Sequence, residues 1–338
     1  MRHRQTAVRV CLALCVGIAG LMIAGCEVTP QTAFNPRSEY ADEGLSLFML
    51  TIYAGVAVGV LVEAILVFAA IRYRRRAGDR LPPQIHGNTL IEFIWTTIPV
   101  LIVAWILFVT LPVIFTSQAP APQPSMLVKV VGHQFWWEFQ YDEAEVVTAN
   151  ELHLPVGRTA NLQLLSDDVI HSFWIPALGG KRDAFPGHTT NYIWMTPNSV
   201  GEFPGQCYQL CGYSHGNMRE RAIIQTQAEF DSWLAAQKQP AVAPAAGPAT
   251  EGSQVFVQKG CIACHTIQGT SAQGKIGPNL THFASRGTFA GSLFENTTAD
   301  LRRWLKDPPK EKPGSVMPNL GLNDHEIDVL TAYLQSLK

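Results

Sequence analysis

Cys261-Ile262-Ala263-Cys264-His265 sets two thiols three residues apart with an imidazole directly after them. Two such thiols can form thioether bonds to the vinyl groups of one haem while the histidine ligates its iron. A low-spin haem needs a second axial ligand. Met317, in Val316-Met317-Pro318, offers a soft thioether that favours reduced iron and raises its potential. His282 and His325 are the rival ligands, but His325 sits in Asn323-Asp324-His325-Glu326, which reads as a helix cap and first turn.

The second constellation is Cys207-x-x-x-Cys211-x-x-x-His215-x-x-Met218. A single blue-copper site needs one thiolate, one or two imidazoles and a weak axial sulfur. Here there are two thiols. Both sulfurs could bridge two copper ions if another strand supplied a second imidazole, and His171, in Asp168-Val169-Ile170-His171-Ser172-Phe173, is placed for that. The alternative is a Cys207–Cys211 disulfide, which an exported compartment permits. His133, His153 and His188 have no such company and read as surface or core histidines.

These residues need elements to position them. With 338 residues, 47% hydrophobic and 15% charged, the chain is neither a disordered tail nor a single small domain. Its 25 basic and 27 acidic side chains leave no field to hold nucleic acid, which is excluded as a partner. Residues 1–25 read as a secretory signal: Arg2, His3, Arg4 and Arg9 form a basic start, before an apolar run too short to span a bilayer. The run ends Ala24-Gly25-Cys26, which is similar to a bacterial lipoprotein cleavage box and makes Cys26 the lipidation candidate; an ordinary signal peptide cut nearby is the alternative.

Two apolar stretches, 45–71 and 91–115, are long enough to cross a membrane as helices. Five arginines between Arg72 and Arg80 favour the cytoplasmic side, so the helices form a hairpin with both ends outside. Glu63 inside the first span and Glu92 at the mouth of the second require a protein or water neighbour, and each implies a partner subunit.

Beyond a Pro-rich exit lie six β-prone runs: Met126 to Val131, Phe135 to Tyr141, Ala160 to Leu165, Val169 to Ile175, Thr189 to Trp194 and Arg221 to Thr226. They predict a small sandwich or barrel. A Pro- and Ala-rich tract, 237–252, reads as a linker, and the remainder of the chain as helical and separate. If flexible, such a linker spans roughly 20–24 Å and holds its cargo at an effective concentration on the order of millimolar. Charge divides at the same boundary: residues 119–238 hold seven basic and twelve acidic groups, and residues 251–338 nine and eight. Strong charge steering between the two is therefore dispensable.

Together, the hairpin, the acidic β domain and the two-thiol loop resemble subunit II of the haem-copper cytochrome c oxidases over roughly residues 33–237. The motifs are Leu90-Ile91-Glu92-Phe93-Ile94-Trp95-Thr96-Thr97-Ile98-Pro99, Gly132-His133-Gln134-Phe135-Trp136-Trp137-Glu138-Phe139, Ser166-Asp167-Asp168-Val169-Ile170-His171-Ser172-Phe173 and Lys181-Arg182-Asp183-Ala184-Phe185-Pro186-Gly187. Residues 251–338, with Gly277-Pro278-Asn279-Leu280, resemble a class I cytochrome c in which that loop passes beneath the haem on the His265 side.

The resemblance implies a multidomain chain: signal peptide 1–25, N-terminal segment and transmembrane hairpin 26–118, all-β cupredoxin domain 119–236, linker 237–252 and all-α cytochrome c domain 253–338. It implies a dicopper CuA centre bridged by Cys207 and Cys211 and completed by His171, His215, Met218 and the backbone carbonyl of Gln209. Much of the family has glutamate at that last position, reaching a shared magnesium, so the glutamine puts that contact in doubt. One covalent haem c, at Cys261 and Cys264 with His265 and Met317 axial, would feed the copper. Implied partners are the haem/copper catalytic subunit I, subunit III, a cytochrome c or respiratory-complex donor and membrane lipid of the bacterial cell membrane, with both metal domains on the extracytoplasmic face. Oxygen chemistry and proton translocation lie in the partner, because this chain supplies no catalytic pocket of its own. Glu92 matches the mouth of a proton path, a helix N-terminal cap being the other reading. Phe135 stands where relatives carry the tryptophan that receives electrons, with Trp136 and Trp137 next to it. Rival readings are an electron-delivery subunit of a nitric oxide reductase and a stand-alone membrane-anchored redox shuttle.

Overall fold

The computed structural model describes residues 30–75, 78, 83–188, 191–244 and 246–338; the signal peptide, Cys26 and part of the arginine loop lie outside the described residues. Helices α1 (Glu39–Arg72) and α2 (Thr89–Gln118) are 34 and 30 residues long, and the most apolar window of each has a mean hydropathy of 2.5 and 2.7. They start earlier than apolarity alone predicts because polar caps set their ends. The Ser38 hydroxyl accepts the Ala41 N–H at 3.1 Å, and the Asn88 side chain accepts the Leu90 and Ile91 N–H groups. No side chain along α2 is buried, so its apolar surface requires lipid or another subunit. Ser38 also donates to the Leu178 carbonyl at 2.5 Å, fixing the outer end of α1 to the β domain.

That domain is a sandwich. One sheet has the order β3 (Val146–Ala149), β2 (Trp136–Tyr141), β1 (Ser125–His133), β5 (Thr159–Ser166) and β8 (Tyr192–Met195); the other has β4 (Glu151–Pro155), β10 (Arg219–Gln225) and β9 (Gly201–Gln206). A short ladder of β6 (His171–Phe173) and β7 (Arg182–Ala184) joins them. Alternation drives the core: Ala160, Leu162 and Leu164 of β5 point inward, as do Val128 and Val130 of β1, and meet Leu152, Leu154, Ala222 and Ile224. Strands β3, β4, β7 and β9 were not expected, β9 because Gly201, Pro204 and Gly205 read as turn signals. The expected run 169–175 shortens to β6, since residues 167–170 form a loop that carries Asp168.

Helix α3 (Gln227–Gln237) covers this core with Phe230 and with Trp233, which stacks on the buried His153 ring at 4.0 Å. Residues 238–247 lead to α4 (Pro248–Gln258), which starts inside the expected linker because Pro248 is suited to a first helical turn. Next along the chain come a two-residue ladder of β11 (Thr288–Phe289) and β12 (Phe294–Glu295) and helices α5 (Thr298–Lys306), α6 (Pro308–Glu311) and α7 (Asp324–Leu334). Gly252 lets α4 cross the Val329 backbone of α7. Val255, Phe256, Leu301, Leu305, Ile327 and Leu330 form this second core.

Candidate metal centre

His171 leaves the end of a loop as β6 begins, and Cys207, Cys211, His215 and Met218 all lie between β9 and β10, so one loop faces one strand. Gly132 of β1 admits the imidazole, since a Cβ there would lie 2.7 Å from His171 Cδ2. The Sγ atoms of Cys207 and Cys211 are 3.9 Å apart; Cys207 Sγ lies 3.8 Å from His171 Nδ1 and 3.3 Å from the Gln209 carbonyl. Cys211 Sγ is 3.7 Å from His215 Nδ1 and 3.8 Å from Met218 Sδ. An ion held about 2.0–2.3 Å from nitrogen and sulfur can be shared only by donors less than about 4.6 Å apart. All five spacings pass that test, and the set of two thiols, two imidazoles, a thioether and a carbonyl is soft enough for copper. The thiols are free and far beyond the roughly 2.05 Å of a disulfide.

Hydrogen bonds orient these donors. His171 Nε2–H donates to Asp168 Oδ1 at 2.7 Å, which turns the Nδ1 lone pair towards Cys207. Burial opposes ionisation of Asp168, but bonds from His171 and from the Val169 and Gln134 N–H groups outweigh it and hold the carboxyl below its usual range. A hydrogen bond with the Cys211 thiol, acting against burial, holds the Cys207 thiol well below its ordinary range. The Gln134 side-chain amide donates to the Cys211 carbonyl.

The second set surrounds a cavity of about 530 Å³ lined by Cys261, Cys264, His265 and Met317, the four residues expected to hold a haem. Cys261–Ala263 is a single 3-10 turn, closed by the Cys264 N–H bond to the Cys261 carbonyl at 3.2 Å, and the His265 N–H reaches the same carbonyl at 3.0 Å. His265 Nδ1–H donates to the Pro278 carbonyl at 2.8 Å, and a Cβ on Gly277 would lie 2.6 Å from the ring. The loop 277–280 thus packs flat on His265 and leaves Nε2 as its ligating atom. Burial keeps this imidazole neutral by lowering its pKa. A cavity of this size, mostly apolar and with donors on opposing loops, fits a haem. His282 and His325 do not line it: His282 Nε2 donates to the Gln239 carbonyl at 3.0 Å, and His325 pairs with Glu251 at 2.7 Å.

Phe135 and Trp136 line the same cavity from the sandwich side, whereas Trp137 is completely buried with its edge towards His171. Glu92 is exposed in the first turn of α2 and accepts the Asn88 N–H at 3.3 Å, the cap role. His133 stacks on Trp136 at 4.2 Å, and His188 is exposed beside Phe185. Three residues escaped the sequence reading: Gln134, Glu151 and Lys312. Burial pulls the Lys312 ammonium down to about 7, and nothing in its sequence neighbourhood signals that burial. Asp168 did carry a signal, standing three residues before His171.

A cupredoxin-type sandwich with a two-thiol loop, joined to a cytochrome-type helical domain and an apolar hairpin, defines a membrane-anchored protein with one copper-type and one haem-type domain. Three family profiles match: the transmembrane domain of cytochrome c oxidase subunit II over residues 29–113, its periplasmic domain over 144–226, and cytochrome c over 249–338. Cytochrome c oxidase subunit 2 of Alkalihalophilus pseudofirmus is 37% identical over 314 residues, covering 91% of both chains. Its counterpart from Bacillus sp. strain PS3 is 33% identical and covers 95% of this chain and 96% of its own. The solved periplasmic domain of subunit II from Bradyrhizobium japonicum is 32% identical over 35% of this chain and 96% of that chain, with a TM-score of 0.33. The chain belongs to the cytochrome c oxidase subunit II family and carries a fused C-terminal cytochrome c domain. It is accordingly a subunit of a haem-copper oxidase complex that includes subunit I, with copper implied by the one domain and haem by the other.

Proposed function

We propose that this chain is the electron-input subunit of a terminal oxidase that reduces oxygen to water and translocates protons. The group supplied at Cys261, Cys264, His265 and Met317 is a covalent haem c, and that supplied at His171, Cys207, Cys211, His215, Met218 and the Gln209 carbonyl is a dicopper centre. Together they offer one-electron storage on the way to subunit I. The observation that carries this reading is the copper donor set, whose neighbouring atoms are 3.3–3.9 Å apart.

The protein's own contribution is positional. The sandwich holds the donors rigidly, so their geometry changes little between oxidation states. Asp168 fixes the His171 tautomer, the Pro278 carbonyl fixes that of His265, and burial shields His171, Cys207, Cys211 and Met218 from water. Phe135 and Trp136 are the proposed electron-input residues, Trp137 backing the copper side. Glu92 is the proposed proton collector at the cytoplasmic mouth, its cap bond to Asn88 being weak enough to exchange. Membership supports the domain division 26–118, 119–236, 237–252 and 253–338, a third subunit and a cytochrome c or respiratory-complex donor outside the cell membrane, and the run Ala24-Gly25-Cys26 supports acylation at Cys26.

Electron paramagnetic resonance of the purified, metal-loaded complex tests the centre: hyperfine splitting shared by two copper nuclei is expected, and splitting from one nucleus, or no copper, overturns it. A Phe135→Trp variant should transfer electrons from haem to copper no faster than the parent; faster transfer would show that an indole is still needed there.

A further inference from the structure

The haem-bearing domain is bonded to the sandwich at points that a freely tethered domain would not make. Lys312, only 4% exposed, carries its ammonium across the boundary to donate to the Phe135 carbonyl at 2.5 Å, while holding its own domain's Ala290 carbonyl at 2.7 Å. Gly291 lies against the same carbonyl: a Cβ there would be 2.8 Å from Phe135 O and 2.9 Å from Asn217 O. The Phe135 ring is gripped from both sides. A Cβ on Gly212 of the copper loop would lie 3.0 Å from it, and one on Gly314 of the haem domain 3.2 Å.

Around this point the polar groups are matched. Glu151 of the sandwich, 3% exposed, accepts the Thr288 N–H at 2.9 Å and the Thr288 hydroxyl at 3.1 Å. Ser214 in the copper loop donates to the Pro313 carbonyl at 2.5 Å, and the Arg219 N–H to the Gly291 carbonyl at 3.0 Å. A buried ammonium or carboxylate left without these partners would be costly, so the groups favour one relative placement over many.

We infer that the cytochrome c domain occupies one fixed seat on the sandwich, closed around Phe135, with Lys312 as its positioning residue. This rests on the reading that electrons pass from haem to copper, and it replaces diffusive docking at the end of a tether by a standing contact. The Lys312 ammonium is engaged by two carbonyls at the edge of the haem cavity and acts by holding the Phe135 backbone between that cavity and the copper loop.

Hydrogen-deuterium exchange of the full chain tests the seat without requiring turnover. The Thr288 and Arg219 amides, bonded across the boundary, should be protected, and Lys312→Met should lower their protection roughly tenfold or more while leaving Leu162 and Ile327 unchanged. Gly291→Ala, which wedges the boundary instead of deleting a bond, should do the same. Fast exchange of those two amides in the parent chain, or unchanged protection in both variants, overturns the seat. Flash reduction of the haem in the intact complex provides the second readout. Transfer to copper should be independent of ionic strength in the parent, and roughly tenfold slower and salt-dependent in Lys312→Met. Protected amides with no transfer at all would sink the relay and leave the seat standing; transfer equal in parent and variant would sink the positioning role of Lys312.

Discussion

The two candidate centres are built in opposite ways. The copper donors come from one loop and one strand and already lie in mutual contact, 3.7–3.9 Å apart. The haem donors face one another across about 530 Å³, with the sandwich supplying part of the wall. The size of what is held explains the difference. An ion needs donors within two bond lengths, which a short loop can arrange. A macrocycle needs volume, and helices from distant parts of a chain must enclose it.

That contrast makes the copper side brittle to single donors and the haem side sensitive to packing. The largest effect is expected from Cys207→Ser: copper content should fall to background in elemental analysis while haem content is unchanged. Copper retained in that variant would break the comparison outright. Next, acid should undo the copper scaffold before the haem domain. Burial, against a hydrogen bond that the ring donates to the Gln225 side-chain oxygen, lowers His153 to about 4 from an ordinary 6.5. The unfolded chain therefore binds a proton there that the folded chain does not, so stability falls as pH drops from about 6.5 towards 4, by on the order of 3 kcal/mol. Denaturant unfolding tracked at the sandwich tryptophans should show that acid limb in the parent and lose it in His153→Gln.

On the haem side, Gly277→Ala puts a methyl against the His265 ring and should lower the stability of the cytochrome domain by about 2 kcal/mol, read as a lower melting temperature of its haem absorbance. A variant melting like the parent would mean that the loop is not packed on His265. The smallest effect sharpens the copper side. Asp168→Asn should leave every donor in place yet weaken copper roughly tenfold or more, about 1.4 kcal/mol, in chelator competition, because the His171 tautomer is no longer enforced.

Much of this organisation was legible in the residues. The two thiol motifs, the spans of α1 and α2 and the break before the cytochrome domain come from local spacing and composition. Where the reading fell short, the cause was non-local. Strand β9 was hidden by its glycines and proline, which an edge position tolerates, and β6 is shorter than its β-branched run because the loop before it is held by Asp168. A linker reading says nothing of how the domains meet, and the bonds of Lys312, Thr288 and Ser214 across the boundary are likewise non-local. Lys312 and Glu151 look like ordinary surface charges in the sequence, and only a second domain folded against them makes them buried partners.

Sequence alone determined which atoms are available to hold metal and haem and in what order along the chain, since cysteine, histidine and methionine spacing is a local property. Tertiary structure alone decided that Phe135 lies between the two centres, that His171 joins a loop thirty-six residues away, and that a lysine bonded to two carbonyls crosses the domain boundary. These are facts of long-range packing. They depend on which buried surfaces exclude water from one another, and no spacing along the chain encodes that separately from the fold.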